Sequence, residues 1–187
     1  MLKIEINRSG RFDYRGLPVC ALRQIQPANN PRALAACRSA LIGQGTFNAY
    51  IVLKGQEPYP ATGRLLVFNG REGAHQVLFG HIYIAHPFAS SFVITFQIAA
   101  HAHGRFGTTL TADIAKTLGT RRYLTGIEMT LSRRYTYRGA RHSYLSAGCP
   151  APKGFSKAVF PLVRTSFSFA GHQTLDSTLT GTCGVRG

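Results

Sequence analysis

Gln76–Ile84, QVLFGHIYI, decides the fold class. Val77, Phe79 and Tyr83 occupy one parity of the stretch, and Leu78, Ile82 and Ile84 the other. A run this short that is apolar on both faces reads as a central β-strand covered on two sides. Its neighbours follow a different pattern. Phe92, Ile94, Phe96 and Ile98 alternate with Val93, Thr95 and Gln97, and Phe47, Ala49, Ile51 and Leu53 alternate with Asn48 and Tyr50. Between them, Arg64–Phe68 reads as a short strand closed by a turn at Asn69-Gly70, because Asn-Gly is the strongest short hairpin signal.

The alternation continues outward. Leu2, Ile4 and Ile6 form one inward face. Phe106, Thr108, Leu110, Ala112 and Ile114 form another, and after a turn at Lys116–Arg122 so do Tyr123, Thr125, Ile127, Met129 and Leu131. Val163, Thr165, Phe167 and Phe169, then Leu175, Leu179, Cys183 and Val185, complete the set. One stretch, Arg32–Ala40, has helix-forming Ala and Leu, with Pro31 suited to a first helical position. About ten short strands with no alternating helices exclude a parallel βαβ sheet. The expected fold is a single all-β domain over residues 1–187. It is an antiparallel β-sandwich of jelly-roll or Greek-key type, or a partly closed barrel, with one short helix.

With 187 residues, 44% hydrophobic and 16% charged, the chain can bury a substantial core and is not disordered by composition. No apolar run reaches the roughly 20 residues that span a bilayer. The charge is lopsided: 22 Lys plus Arg face 7 acids, for a net +15. No acid lies between Glu128 and Asp176, an interval that carries Arg133, Arg134, Arg138, Arg141, Lys153, Lys157 and Arg164. Such a field attracts polyanions: wall polymer, an anionic membrane surface or nucleic acid.

Four cysteines, Cys20, Cys37, Cys149 and Cys183, are widely spaced and contain no CxxC pair, which argues against a zinc ribbon or a thioredoxin-type motif. Three connectivities are open, and sequential pairing, Cys20–Cys37 and Cys149–Cys183, is the expected one. Disulfides place the chain in an oxidising compartment. MLKIEINRSGRF, however, begins directly as a strand and lacks the basic start, apolar core and cleavage site of a signal peptide. The two observations agree if the natural N-terminus lies further upstream.

Catalytic and metal patterns are weak. His101 and His103 would share one face if they lay on a strand, but no acid is near to support a metal, so no metal and no cofactor is expected. There is no GxSxG elbow and no phosphate-binding glycine loop. His142, Ser143 and Ser146 are close in sequence, yet a triad needs an orienting acid, and only Glu128 and Asp176 flank them. A glycosidase pair could be drawn from Glu57, Glu72 and Asp113, but nothing selects one. No catalytic residue is therefore assigned.

The most distinctive text is Tyr135–Gly154, YTYRGARHSYLSAGCPAPKG. Arg133 to Tyr144 reads as a hairpin turning at Arg138-Gly139. Arg133, Arg134, Tyr137, Arg138 and Arg141 are the candidate binding face, offering guanidinium forks beside aromatic rings. CPAPKG reads as a rigid loop pinned through Cys149.

This stretch resembles a group of exported all-β proteins from high-GC soil actinobacteria, a group with no known activity. The likeness rests on GLPVC with a following QIQP, ALIGQGTF, GRLLVFNG, YRGARHSYLSAGCPAPKGF and TSFSFAG. It implies an extracytoplasmic β protein, secreted or held at the cell envelope, and leaves the function open. The expected function is non-catalytic contact of the basic face with anionic wall polymer or lipid. A nucleic-acid-binding β domain and a carbohydrate-active hydrolase are the alternatives.

Overall fold

The double-sided strand forms over His75–Ile84 and sits inside a nine-stranded antiparallel sheet. The structure is a computed structural model and describes residues 1–119, 122–149, 151, 154–169 and 173–184. In chain order the elements are β1 (Leu2–Asn7), β2 (Gly10–Phe12), α1 (Leu22–Ile25), α2 (Asn30–Cys37), β3 (Leu41–Ile51), β4 (Tyr59–Glu72), β5 (His75–Ile84) and β6 (Ser90–Ala100). There follow β7 (Phe106–Ala112), α3 (Ile114–Leu118), β8 (Arg122–Leu131), β9 (Arg134–Tyr137), β10 (Ala140–Ser143), β11 (Leu145–Ala147), β12 (Lys157–Ser168) and β13 (Thr174–Gly184).

The large sheet runs β13-β12-β1-β7-β6-β5-β4-β3-β8. It curls, so that Phe47, Leu65, Leu78, Ile82, Ile94 and Phe96 meet in one inner core. On the opposite face of β4 and β5, Leu66, Phe68, Val77 and Phe79 form a second core under α1 and α2. The two-sided hydrophobicity of β5 thus has two distinct partners, the curled sheet within and a helical layer outside. The fold is mostly β, as expected. Among the described residues three α-helices form in place of one, nine strands make one curled antiparallel sheet, and β9–β10 and β2–β11 form two separate two-stranded sheets.

Three local expectations change. The Asn69-Gly70 pair does not turn the chain: β4 runs through it to Glu72, and the turn falls at Gly73, with φ of 59°. Asn69 is buried and donates from Nδ2 to Pro18 O at 2.9 Å, while its carbonyl accepts from Cys20 N. A Cβ on Gly70 would lie 2.4 Å from the Phe79 ring. The pair serves close packing of the N-terminal layer on the sheet. In β8, Tyr123 and Thr125 face outward and Leu124 inward. The cause is a bulge: Asn48 pairs with Gly126 but Ala49 with Leu124, so one extra residue flips the phase. The third is at Ile114–Leu118, where Asp113 Oδ1 accepts from Lys116 N and starts a helix in place of a strand end and turn.

His81 on β5 is fully buried, and its Nε2 meets Ala28 O at 3.0 Å, which fixes the helical layer to the sheet. Burial holds its imidazole below the ordinary value of 6.5. The unfolded chain binds a proton at His81 near that pH, and the folded chain only at lower pH. Stability should therefore fall as pH drops below 6.5 and level off once the folded group also titrates. The expected result is a wild-type denaturant midpoint that declines between about pH 7 and 5, and declines less in His81→Gln, which keeps a donor for Ala28. Equal slopes would show that His81 is not the titrating group.

Candidate functional site

The candidate face is a hairpin because its turn residues demand one. Arg138 and Gly139 both have positive φ, 50° and 78°, the combination that matches strand twist in a two-residue turn. β9 and β10 pair Tyr135 with His142 and Tyr137 with Ala140 on one side, and Thr136 with Arg141 and Arg134 with Ser143 on the other. Arg134 and Arg141 therefore lie on the side opposite Tyr135 and Tyr137, with Arg138 at the turn between them.

The aromatic side is anchored on the N-terminal segment. The Tyr135 and His142 rings stack with centroids 5.4 Å apart, and Tyr137 meets His142 edge-on at 6.1 Å. A Cβ on Gly16 would clash with the Tyr137 ring at 2.1 Å, so a glycine is needed beneath it. Tyr135 donates its hydroxyl to Asp13 O at 3.0 Å, and His142 Nδ1 lies 2.8 Å from Asp13 Oδ2. Arg15 adds a bidentate pair to the same carboxylate, at 3.0 and 3.1 Å. Hydrogen bonds from Arg15, then from His142, hold the Asp13 carboxyl well below the usual carboxylate range. The sequence offers no sign of this partner, because Asp13 and His142 are 129 residues apart.

The opposite side and the turn are cationic and open. Arg134, Arg138 and Arg141 are exposed, and none makes an ion pair among the described residues. Arg138 lies over the Tyr137 ring at 5.3 Å, which positions its guanidinium at the tip. Arg133 and Tyr137 are half-buried, Arg133 just before the hairpin and Tyr137 on its aromatic side. Cys149 bonds to Cys183, tying the segment after the hairpin to β13, and Cys20 bonds to Cys37. Lys153 and the rest of the CPAPKG loop fall partly outside the described residues.

The other candidates resolve into local roles. His101 and His103 lie in the loop after β6, not on a strand, and His101 Nε2 bonds Thr109 Oγ1 at 2.8 Å. Ser143 donates its hydroxyl to Leu145 O, not to His142. Glu57 is exposed on the loop after β3. Glu72 and Asp113 do line one depression of about 520 Å³. Glu72 accepts from Gln97 Nε2 at 2.8 Å, and Asp113 caps α3.

No family model matches the chain, and no match is found among curated proteins or solved structures.

Proposed function

We propose that this chain is a non-catalytic extracytoplasmic protein, secreted or envelope-associated, which contacts an anionic lipid surface or wall polymer through the β9–β10 hairpin. The observation that carries the reading is three exposed guanidiniums on one rigid hairpin, with no carboxylate partner among the described residues. An anion approaching them displaces water only, and breaks no internal ion pair. The net charge of +15 draws such partners from a distance. Two disulfides point to an oxidising compartment, and no helix of the described residues is long and apolar enough to cross a membrane. Export from an actinobacterial cell extends the sequence resemblance. We also read the curled sheet as a sandwich-like arrangement, with β12, β1 and β8 facing β4 to β6 across one core.

The test uses vesicles of phosphatidylglycerol and phosphatidylcholine, a glycerol-phosphate teichoic acid, and duplex DNA. Each basic residue at an anionic surface contributes about 1 kcal/mol, so Arg134→Gln/Arg138→Gln/Arg141→Gln should weaken vesicle binding about 100-fold and flatten its salt dependence. Adding Arg133→Gln and Tyr137→Ala should weaken it further. Unchanged binding by the five-fold variant would end the proposal. Preference for DNA over the other two polyanions would move the nucleic-acid reading ahead.

A further inference from the structure

The large sheet has nine strands, and each strand is antiparallel to its neighbours. An odd count leaves the two edge strands, β8 and β13, running in the same direction. The sheet curls until these two edges line one apolar cleft of about 540 Å³. They cannot pair with each other and keep the antiparallel pattern. One more strand between them, antiparallel to both, would close the sheet into a barrel with no edge. We propose that the cleft receives a tenth strand: an extended peptide of a partner protein, about five to eight residues long, with apolar side chains at alternate positions.

Three observations select that occupant. First, both walls offer backbone groups. Among the described residues β8 pairs only with β3 and β13 only with β12, so a row of N–H and C=O groups on each faces the opening. Neither strand carries the proline or lysine with which natural edges discourage pairing. A purely apolar ligand leaves both rows unmet, whereas a strand satisfies both. Second, the interior calls for alternation. Ile4, Val163 and Phe167 lie on the floor, with Met129 on the β8 wall and Leu175 and Leu179 on the β13 wall. A strand turns every second side chain to one face, and those side chains would cover Leu175 and Leu179, now 65% and 62% exposed. The lining runs over Leu124–Leu131 of β8 and Leu175–Leu179 of β13, which sets the length of the peptide. Third, the described chain cannot supply the strand. An inserted strand needs both of its edges free, and every described strand is already paired on at least one. A folded second copy has the same strands, and a net charge of +15 repels it. The donor is therefore a segment unpaired until it binds. Glu128 is the one charged residue in the lining among the described residues and makes no ion pair there, so a basic residue at one polar position of the peptide is favoured.

This cleft is separate from the exposed hairpin arginines, and either reading can fail without the other. The probe is the synthetic peptide acetyl-Val-Thr-Val-Lys-Val-Thr-Val-amide, titrated into the full chain by calorimetry and followed by amide hydrogen exchange. It should bind one to one and slow exchange in both β8 and β13. Successive N–H groups of a strand point to opposite edges, so N-methylation at the lysine blocks one wall, and at the next valine the other. Each should weaken binding at least about ten-fold. The isomer acetyl-Val-Val-Val-Val-Thr-Thr-Lys-amide, which lacks the alternation, should bind at least about ten-fold more weakly too. Leu179→Asp places a charge at an exposed position, so it should keep the wild-type unfolding midpoint yet lower affinity by at least about ten-fold. The hairpin triple variant should bind the peptide as wild type does. The proposal is overturned if the alternating peptide shows no saturable binding, or if the two isomers bind equally. Weakening by only one of the two methylations also overturns it, since the peptide would then extend a single edge and leave the sheet open. So does a dimer of the chain alone with β8 and β13 amides already protected, since a second copy would then fill the cleft.

Discussion

Tyr144→Ala should lose about 3 to 5 kcal/mol of stability, while Tyr144→Phe should lose nothing and gain about 1 kcal/mol. Tyr144 is fully buried in the inner core, with Phe12 edge-on to it at 5.5 Å. Its backbone joins three segments: its N–H donates to Arg133 O at 2.8 Å, and its carbonyl accepts from Asp13 N at 2.9 Å. The ring therefore plugs the core where the candidate hairpin meets the N-terminal segment. Its hydroxyl has no hydrogen-bond partner among the described residues, and burial pushes the phenol well above its ordinary value of 10.0. Removing the ring leaves a cavity among close-packed neighbours, whereas removing only the hydroxyl relieves an unmet desolvation cost. Urea denaturation followed by far-ultraviolet circular dichroism separates the two variants. A Phe variant as unstable as the Ala variant would mean that the hydroxyl carries the stability and the ring does not. Because Tyr144 follows Ser143 directly, Tyr144→Ala should also loosen the arginine face and weaken vesicle binding, with every arginine still present.

Much of this was legible along single strands and little of it between them. Alternation located β1, β3, β6, β7 and β12 because each has one wet or polar face. It located β5 because two cores claim both of its faces. The Arg138-Gly139 turn was readable because its residue pair matches a backbone requirement. Asn69-Gly70 carries the same kind of signal but spends its small size and side-chain amide on the layer packed against β4, a contact made with Pro18 and Cys20 far away in sequence. The phase flip at Tyr123 depends on a bulge opposite Asn48 and Ala49, and no local pattern encodes a mismatch between two strands. α1 and α3 are one turn long, below the length at which helical periodicity rises above noise. The arginine face was legible as composition. That Arg134 and Arg141 lie opposite Tyr135 and Tyr137 follows only from the pairing register. The opening between β8 and β13 was invisible for a stronger reason. It exists because β8 crosses to β3 while β1 joins β12, and sheet order is a property of the whole chain.

The two disulfides should fail in different ways when removed. On the chain-entropy model, closing loops of 17 and 34 residues stabilises by about 3 and 4 kcal/mol. Cys20 and Cys37 are buried at 0% and 3% exposure, in the core that α1 and α2 form with β4 and β5. Cys20→Ala/Cys37→Ala should therefore lower global stability by about 3 kcal/mol or more, since lost packing adds to the entropy term. Cys149–Cys183 lies elsewhere. It holds β13, an edge strand exposed along nearly its whole length and hydrogen-bonded to β12 alone. Without the bond, β13 can fray while the other eight strands of the large sheet stay folded, so part of the loss becomes local. Cys149→Ser/Cys183→Ser should speed amide exchange across Thr174–Gly184 by a large factor, with a smaller shift of the global midpoint than the loop length alone implies. Protected amides in β13 after loss of the bond would show that its ladder with β12 holds the strand without the disulfide.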